Sequence, residues 1–394
     1  VSLKILLGFI FLGAIAILAL LFGYPKEYYH LLFFIGLNQV ILSLLLYSRS
    51  NLSGLGKYRL DSVLSVLDKV LLILILLYLL SVHNSDFIID WFVFSQTVAL
   101  GVTCIVTFSI NIYLAGHFQF QLSIDFIKSH LRKSLPYALI IFLMTVYTRM
   151  DGVMLERLLD DQAREAGIYA AAFRIFDAGN MFAYLFAGLL FPMFAHLLAK
   201  KESIIHLLEM GYKLLFIGAF VLFIACIFYR DSIMVFLYPN HADPYYGVLL
   251  GYLMFSFLAM AVAYAFGSLL SANGNVSALN KLFLVGVLLN FSLNLWLIPR
   301  NQALGAAIAT VVTQYFVLFG QIFLCRKYFR IHFKFKLLSQ LFALVLSVLL
   351  LFYVLAFYTP LPWFVEISLG IIFSILVSLL LRLVEIKEFK RIYS

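Results

Sequence analysis

Apolar residues fill blocks of about twenty along nearly the whole chain, separated by short polar stretches. A bilayer core is crossed by about twenty apolar residues in a helix, so each block predicts one membrane helix. Twelve can be placed, near 3–22, 28–48, 61–83, 87–114, 135–155, 168–192, 211–229, 248–270, 281–298, 306–325, 337–357 and 363–381. The expected fold class is an all-α polytopic membrane protein. The first block carries only Lys4 ahead of it and no small-x-small cleavage site behind it, so it reads as a retained helix rather than a signal peptide.

The polar positions inside the blocks are the informative ones. Arg149 and Asp151 lie in the fifth block, Arg174 and Asp177 in the sixth, and a short acidic connection joins the two. Arg or Asp at the centre of a membrane helix costs about 2.5–3.5 kcal/mol even on lenient insertion scales, so these four must turn away from lipid. At 1.5 Å per residue, both arginines lie roughly 10 Å below the outer boundary. Arg174 and Asp177 are spaced i, i+3 and can pair on one helix face; Arg149 and Asp151 are about 200° apart and cannot share one. Two readings stay open. Either the arginines pair with Asp177 and Asp151 to hold two helices together, or one or both face a cavity and grip an anion with a planar, bidentate fork. Lys69, beside Asp68 in the middle of the third block, poses the same choice between a cavity position and an internal pair with an acidic residue of a neighbouring helix.

Composition strengthens the membrane reading. The 394 residues are 64% hydrophobic and 12% charged, with a mean hydropathy of +1.04, where a soluble domain is about a quarter charged. The net charge of +9 is distributed by topology. Alternate connections and the two ends hold twenty of the basic residues, among them Arg326, Lys327 and Arg330, and the opposite connections hold five, including Arg157 and Arg300. Positive residues collect on the cytoplasmic side, so both termini are expected there, facing anionic headgroups, and no nucleic-acid partner is needed. The longest outward connection, RDSIMVFLYPNHADPYYG, is too short for a catalytic domain, which disfavours a membrane-embedded sugar polymerase. Cys104, Cys226 and Cys325 are scattered apolar packing residues, and the eight histidines show no ligand spacing. No metal, cofactor or catalytic centre is expected.

Small and amide residues mark helix contacts. Gly305, Ala309 and Thr313 recur every four residues, the pattern that lets membrane helices approach closely. Asn290 and Asn294, i and i+4 on the preceding block, are placed to bond a neighbour or line a lumen. The turns NLSGLGKYRLDSVL (51–64) and SANGNVSALNKLFL (271–284) are similar enough to suggest an internal repeat, although ordinary turn chemistry accounts for them equally.

Together these residues resemble a known group. R-x-D-x-x-M-L followed by G-x-Y-x-A-A-x-R (Arg149, Asp151, Met154, Leu155, Gly167, Tyr169, Ala171, Ala172, Arg174) is similar to the seventh-to-eighth helix signature of polysaccharide flippases of the MOP exporter superfamily, the Wzx-type O-antigen and capsule repeat-unit transporters. The run 280–310, with Asn290, Asn294, Pro299, Gly305, Ala306, Ala307 and Ala309, resembles their eleventh-helix region. The resemblance implies a two-lobed MOP/MATE-like bundle: the remainder of an N-terminal lobe over 1–114, a cytoplasmic linker over 115–134, a C-terminal lobe over 135–330 and two additional helices with a tail over 331–394. It also implies that two helices of the family pattern precede Val1. The implied cargo is an undecaprenyl-pyrophosphate-linked oligosaccharide, flipped to the outer leaflet of a bacterial inner membrane by alternating access. Arg174, Arg149 and Lys69 would bind its pyrophosphate. Asp177, Asp151 and Asp68 would couple to a proton or sodium counter-ion, or pair internally, and Asn290, Asn294, Gly305 and Ala309 would pack helices or line the lumen. Polysaccharide polymerase and chain-length machinery are the implied protein partners. A MATE-like small-molecule exporter and a peptidoglycan-precursor flippase are the alternatives on the same fold.

Overall fold

The computed structural model describes residues 2–55, 57–82, 89–115, 124–159, 162–239, 243–331 and 335–383. Lys334, His83, His117, His241, His332, most of the linker expected over 115–134, and the basic tail with Lys387, Lys390 and Arg391 lie outside the described residues. The described residues form helices and no strand. Among the described residues, eleven helices are long and apolar enough to span a membrane. One of them, 54 residues long, is two membrane-length arms joined at a kink at Gln302, so all twelve blocks are realised as crossings of an all-α polytopic membrane protein.

The chain divides into two compact units, 1–133 and 134–394. The first holds α1 (Ser2–Leu21), α2 (Tyr29–Gly54), α3 (Tyr58–Val82) and α4 (Ile89–Ala115). Its helices are joined by scattered polar links: Lys4 Nζ to Ser43 Oγ at 3.0 Å, Arg49 Nε to Asp61 Oδ1 at 2.7 Å, and Asn111 Nδ2 to the Ser48 carbonyl at 2.9 Å.

The second unit begins within α5 (Ile124–Leu158) and continues through α6 (Gln162–Ala199), α7 (Ile205–Phe228), the short α8 (Arg230–Leu237), α9 (Pro244–Ala272), α10 (Val276–Phe329), α11 (Phe335–Tyr358) and α12 (Trp363–Leu380). It is organised around α9, which packs against α6, α7 and α10. That helix is apolar on every side and most of it is buried, as a helix surrounded by others must be. Pro244 at its first position and Asp243, which accepts from the Tyr245 N–H at 2.8 Å, start it.

The two arms of α10, 276–301 and 303–329, run antiparallel. Gly286 faces Val317, Gly320 faces Leu282 and Gly305 faces Leu297, a register that pivots on the kink. Three features make the reversal. Pro299 removes a helix donor; Gln302 takes a positive φ of 54°; and Gly305 sits so close to the first arm that a Cβ there would collide with the Leu297 carbonyl. The first N–H of the second arm, Ala303, donates to the buried Glu165 carboxylate of α6 at 3.1 Å, and Leu304 N–H donates to Tyr245 Oη at 3.2 Å. A carboxylate at a helix start meets free N–H groups and the positive end of the dipole. Glu165, part of the acidic connection in the sequence, is thereby a cap supplied by a different helix.

Candidate functional site

The α5–α6 hairpin carries charge on two sides, and the sides differ. On one, Arg149 donates twice to Asp177, from Nη1 to Oδ2 at 2.8 Å and from Nη2 to Oδ1 at 3.1 Å. The guanidinium also lies over the Phe173 ring, 5.1 Å from its centroid. Phe173 and Asp177 are i, i+4 and present one face to Arg149. The Arg149 side chain is nevertheless 57% exposed, within a segment of membrane-spanning length. Charge so exposed at that depth requires water rather than lipid. Arg174 is exposed beside this pair and makes no hydrogen bond or ion pair among the described residues.

Of the two readings left open, the pair that ties two helices is formed for one arginine, Arg149 of α5 with Asp177 of α6; the i, i+3 pairing of Arg174 with Asp177 is not formed. Asp151 pairs with neither arginine. It points to the opposite side of α5, as the 200° offset demands, and is fully buried.

Around Asp151 four helical segments meet. Tyr169 of α6 donates its hydroxyl to Oδ2 at 2.7 Å, and Asn294 of the first arm of α10 donates Nδ2 to Oδ1 at 2.6 Å. Thr310 of the second arm donates to Oδ2, and the same hydroxyl lies 3.1 Å from the Ala306 carbonyl. Asn290 completes the group, its Oδ1 accepting from Asn294 Nδ2 at 3.0 Å. Three donors satisfy the carboxylate, yet no cationic side chain pairs with it among the described residues. Asn294 Oδ1 and Asn290 Nδ2 are buried without a partner there. Moving an unpaired carboxylate out of water costs several kcal/mol, so this group calls for a counter-charge small enough to share the space: a proton or a bare cation.

Polar links carry much of the fastening of α5. Besides Arg149–Asp177 and the Asp151 group, Asn280 Nδ2 of α10 donates to the Pro136 carbonyl at 2.9 Å, while Tyr147 meets Phe283 at a ring-centroid distance of 6.1 Å.

The remaining sequence candidates are placed as follows. Lys69 is 61% exposed and bonds Asp68, the residue before it, at 3.2 Å; of the two readings left open, the internal pair with a neighbouring helix is not formed among the described residues. Gly305 and Ala309 are buried, Gly305 at the reversal of α10. Glu366 is buried and accepts from Thr359.

A family profile described as "Polysaccharide biosynthesis protein" matches residues 1–198, half of the chain and the whole of the α5–α6 hairpin up to its last turn. The chain belongs to the polysaccharide biosynthesis protein family. That family is of the MOP transporter type, and its members are typically transporters rather than enzymes. A search of the curated proteins finds no match. For a polysaccharide biosynthesis protein the site is informative: the matched segment contains both arginines and both aspartates of the hairpin, while the partners of Asp151 on α10 lie beyond it.

Sequence reasoning missed Tyr169, Thr310 and Glu165. A usable signal existed for the first two. A membrane-embedded Asp151 with no basic residue on the buried side needs hydroxyl or amide donors, and Tyr169 and Thr310 lie at matching depth on blocks already predicted. For Glu165 the pointer was the Pro299–Gln302 break, which leaves helix N–H groups in need of an acceptor.

Proposed function

We propose that this protein flips an undecaprenyl-pyrophosphate-linked oligosaccharide from the cytoplasmic to the outer leaflet for surface polysaccharide assembly. The observation that carries the reading is the exposed, unpaired Arg174 beside the Arg149–Asp177 pair, at membrane depth, in a member of the polysaccharide biosynthesis family. A pyrophosphate entering the bilayer must shed water. Charge-assisted hydrogen bonds of about 1.5–3 kcal/mol each offset that loss. Arg174 offers its whole fork, and Arg149 can be released from Asp177 when a stronger anion arrives. Lys69, exposed on α3, is by its charge a further candidate for an anionic cargo.

Asp151 supplies the coupling. Its carboxylate, with Asn290, Asn294, Thr310 and Tyr169, forms an oxygen-rich group that takes up a proton or sodium ion. Filling or emptying it changes the ties between α5 and both arms of α10, and so biases the position of α5. The chain resides in the bacterial inner membrane with both described ends of the bundle oriented by the positive-inside distribution.

The test is genetic and chemical. Cells lacking the protein should accumulate the lipid-linked repeat unit on the cytoplasmic face and lose surface polysaccharide; restoring the gene should reverse both. A knockout that exports normal polysaccharide but becomes sensitive to small-molecule toxins would instead identify a MATE-like exporter. One that accumulates peptidoglycan precursor would identify that cargo.

A further inference from the structure

Because the two arms of α10 are antiparallel, residues near its start and near its end meet at one end of the hairpin, away from the kink. A groove of about 470 Å³ lies between the arms there, a volume in the range of small-molecule sites, about 300–1,000 Å³. Lys281 of the first arm and Lys327 of the second both line it. Both are exposed, and neither makes a hydrogen bond or ion pair among the described residues. The Lys327 ammonium lies 6.0 Å from the centroid of the Tyr328 ring, which is also part of the lining. No acidic residue lines the groove among the described residues.

Beyond the lysines the walls are apolar. Leu282 and Val285 line one side, Phe316 and Phe323 the other, and Val285 and Phe323 are exposed. Gly320 lets the arms close together at the floor, where a Cβ would collide with the Leu282 side chain. The groove is separate from the charged hairpin. Leu279, Phe283 and Asn290 form the buried face of the first arm, while Lys281 and Val285 stand on its exposed face. Lys281 precedes Asn294 by 13 residues, about 20 Å along the arm, so the groove lies far from the Asp151 group.

The ligand class follows from charge and shape. Two ammonium groups on facing arms with no counter-charge repel, and an anion between them removes that cost. A free phosphate would satisfy the lysines and leave the cleft open. A hydrocarbon would fill the cleft and leave the lysines unanswered. A phosphate that carries acyl chains meets both demands. A zwitterionic headgroup brings its own cation to the same place, so a net anionic one fits better. Basic pockets between membrane helices on the cytoplasmic side suit such headgroups, and this end of α10, with Arg326 and Arg330 close by in sequence, is the one the charge distribution expects in the cytoplasm. We propose that the open end of the α10 hairpin holds an anionic phospholipid of the surrounding leaflet. Its phosphate sits between Lys281 and Lys327, and an acyl chain lies along the Leu282–Phe323 cleft. The lipid thereby ties together two arms that the chain itself joins only at the Gln302 kink, and it does so whatever the cargo is.

The experiment uses the full chain in phosphatidylcholine vesicles, with Trp91, Trp296 and Trp363 replaced by phenylalanine and Phe323→Trp as the single reporter in the cleft. Its fluorescence quenching is followed as brominated phosphatidylglycerol enters the vesicles, with brominated phosphatidylcholine as the comparison. We expect phosphatidylglycerol to reach half-maximal quenching at a mole fraction about tenfold lower. Each lysine near a charged leaflet contributes about fivefold. Lys281→Gln with Lys327→Gln should therefore bring the two lipids within about twofold of each other, with quenching by phosphatidylcholine unchanged because the cleft is intact. Lys281→Arg with Lys327→Arg should keep the preference, and so should Lys57→Gln with Lys200→Gln, which removes the same charge elsewhere. Equal quenching by both lipids in the parent chain overturns the proposal, as does a preference that survives loss of Lys281 and Lys327. A preference lost equally with Lys57 and Lys200 would reduce the effect to the general field of the basic residues and overturn it too. Displacement of brominated phosphatidylglycerol by an equal mole fraction of undecaprenyl phosphate would assign the groove to a carrier lipid, and relief of quenching by millimolar glycerol phosphate would assign it to a soluble anion; either result overturns the phospholipid assignment.

Discussion

Asp177 and Asp151 sit on two sides of one helical hairpin and solve the problem of a membrane carboxylate in different ways. Asp177 has a full counter-charge, Arg149, held bidentately at 2.8 and 3.1 Å, and both are substantially open to solvent. Asp151 has no counter-charge among the described residues and no exposure, but three neutral donors from three helical segments. The first arrangement balances charge locally and can be opened at little cost, since exposed ion pairs contribute only about 0–1 kcal/mol. The second is fixed by geometry and left electrically incomplete, so its stability depends on what else enters. One side is suited to exchanging an anion, and the other to registering a cation.

The largest effect should come from Asp151. Asp151→Ala leaves three donors unsatisfied across α6 and α10, and a buried polar group left without its partner costs about 1–3 kcal/mol. We expect membrane abundance to drop severalfold and export to vanish. Asp151→Asn, which keeps the shape, should restore abundance in an immunoblot while export loses its dependence on the ion gradient. Normal, gradient-dependent export by the Asn variant would erase the distinction between the two carboxylates.

Next comes Arg174. Arg174→Ala should abolish surface polysaccharide with abundance within about twofold of normal, because Arg174 is exposed and no hydrogen bond or ion pair among the described residues is lost. Arg174→Lys should recover little, since a point charge lacks the planar fork. A fall in abundance with normal export per molecule would make Arg174 a structural residue.

A smaller loss is expected for Glu165→Gln, which weakens the cap on the second arm of α10. Helix caps contribute about 0.5–2 kcal/mol, so the detergent-solubilised protein should melt several degrees lower with transport retained. An unchanged melting curve would show that the Tyr245–Leu304 contact holds the kink alone.

Arg149→Ala together with Asp177→Ala should be milder still for folding, below about 1 kcal/mol, and should halve export or worse only through lost anion contact. The comparison sharpens if the charge-reversed pair Arg149→Asp/Asp177→Arg keeps abundance but not export. Lys69→Ala should have the least effect, at most a modest reduction at limiting cargo, measured by the same polysaccharide assay.

Much of this was legible in the chain. The twelve crossings followed from block length alone, since the bilayer imposes that length on any helix that spans it. The hairpin stood out for a related reason: Arg149, Asp151, Arg174 and Asp177 are expensive wherever they point. What could not be read was which of the open pairings forms: Arg149 meets Asp177 while Arg174 meets no carboxylate among the described residues, a choice set by helix facing and hairpin register rather than by spacing along the chain. Glu165 was hidden by position, since an acidic residue in a short connection is ordinarily solvated.

The separations within the Asp151 group have a consequence for how the protein is made. Tyr169 follows Asp151 by 18 residues, but Asn294 and Thr310 follow by 143 and 159. At synthesis rates of about 5–20 residues per second, the carboxylate waits roughly 7–30 s in the membrane or its insertion machinery before the arms of α10 emerge. During that interval Tyr169 is its one native companion. Closing the Asp151 group is therefore a late step, in which a reversing pair of helices arrives to cover a charge laid down more than a hundred residues earlier.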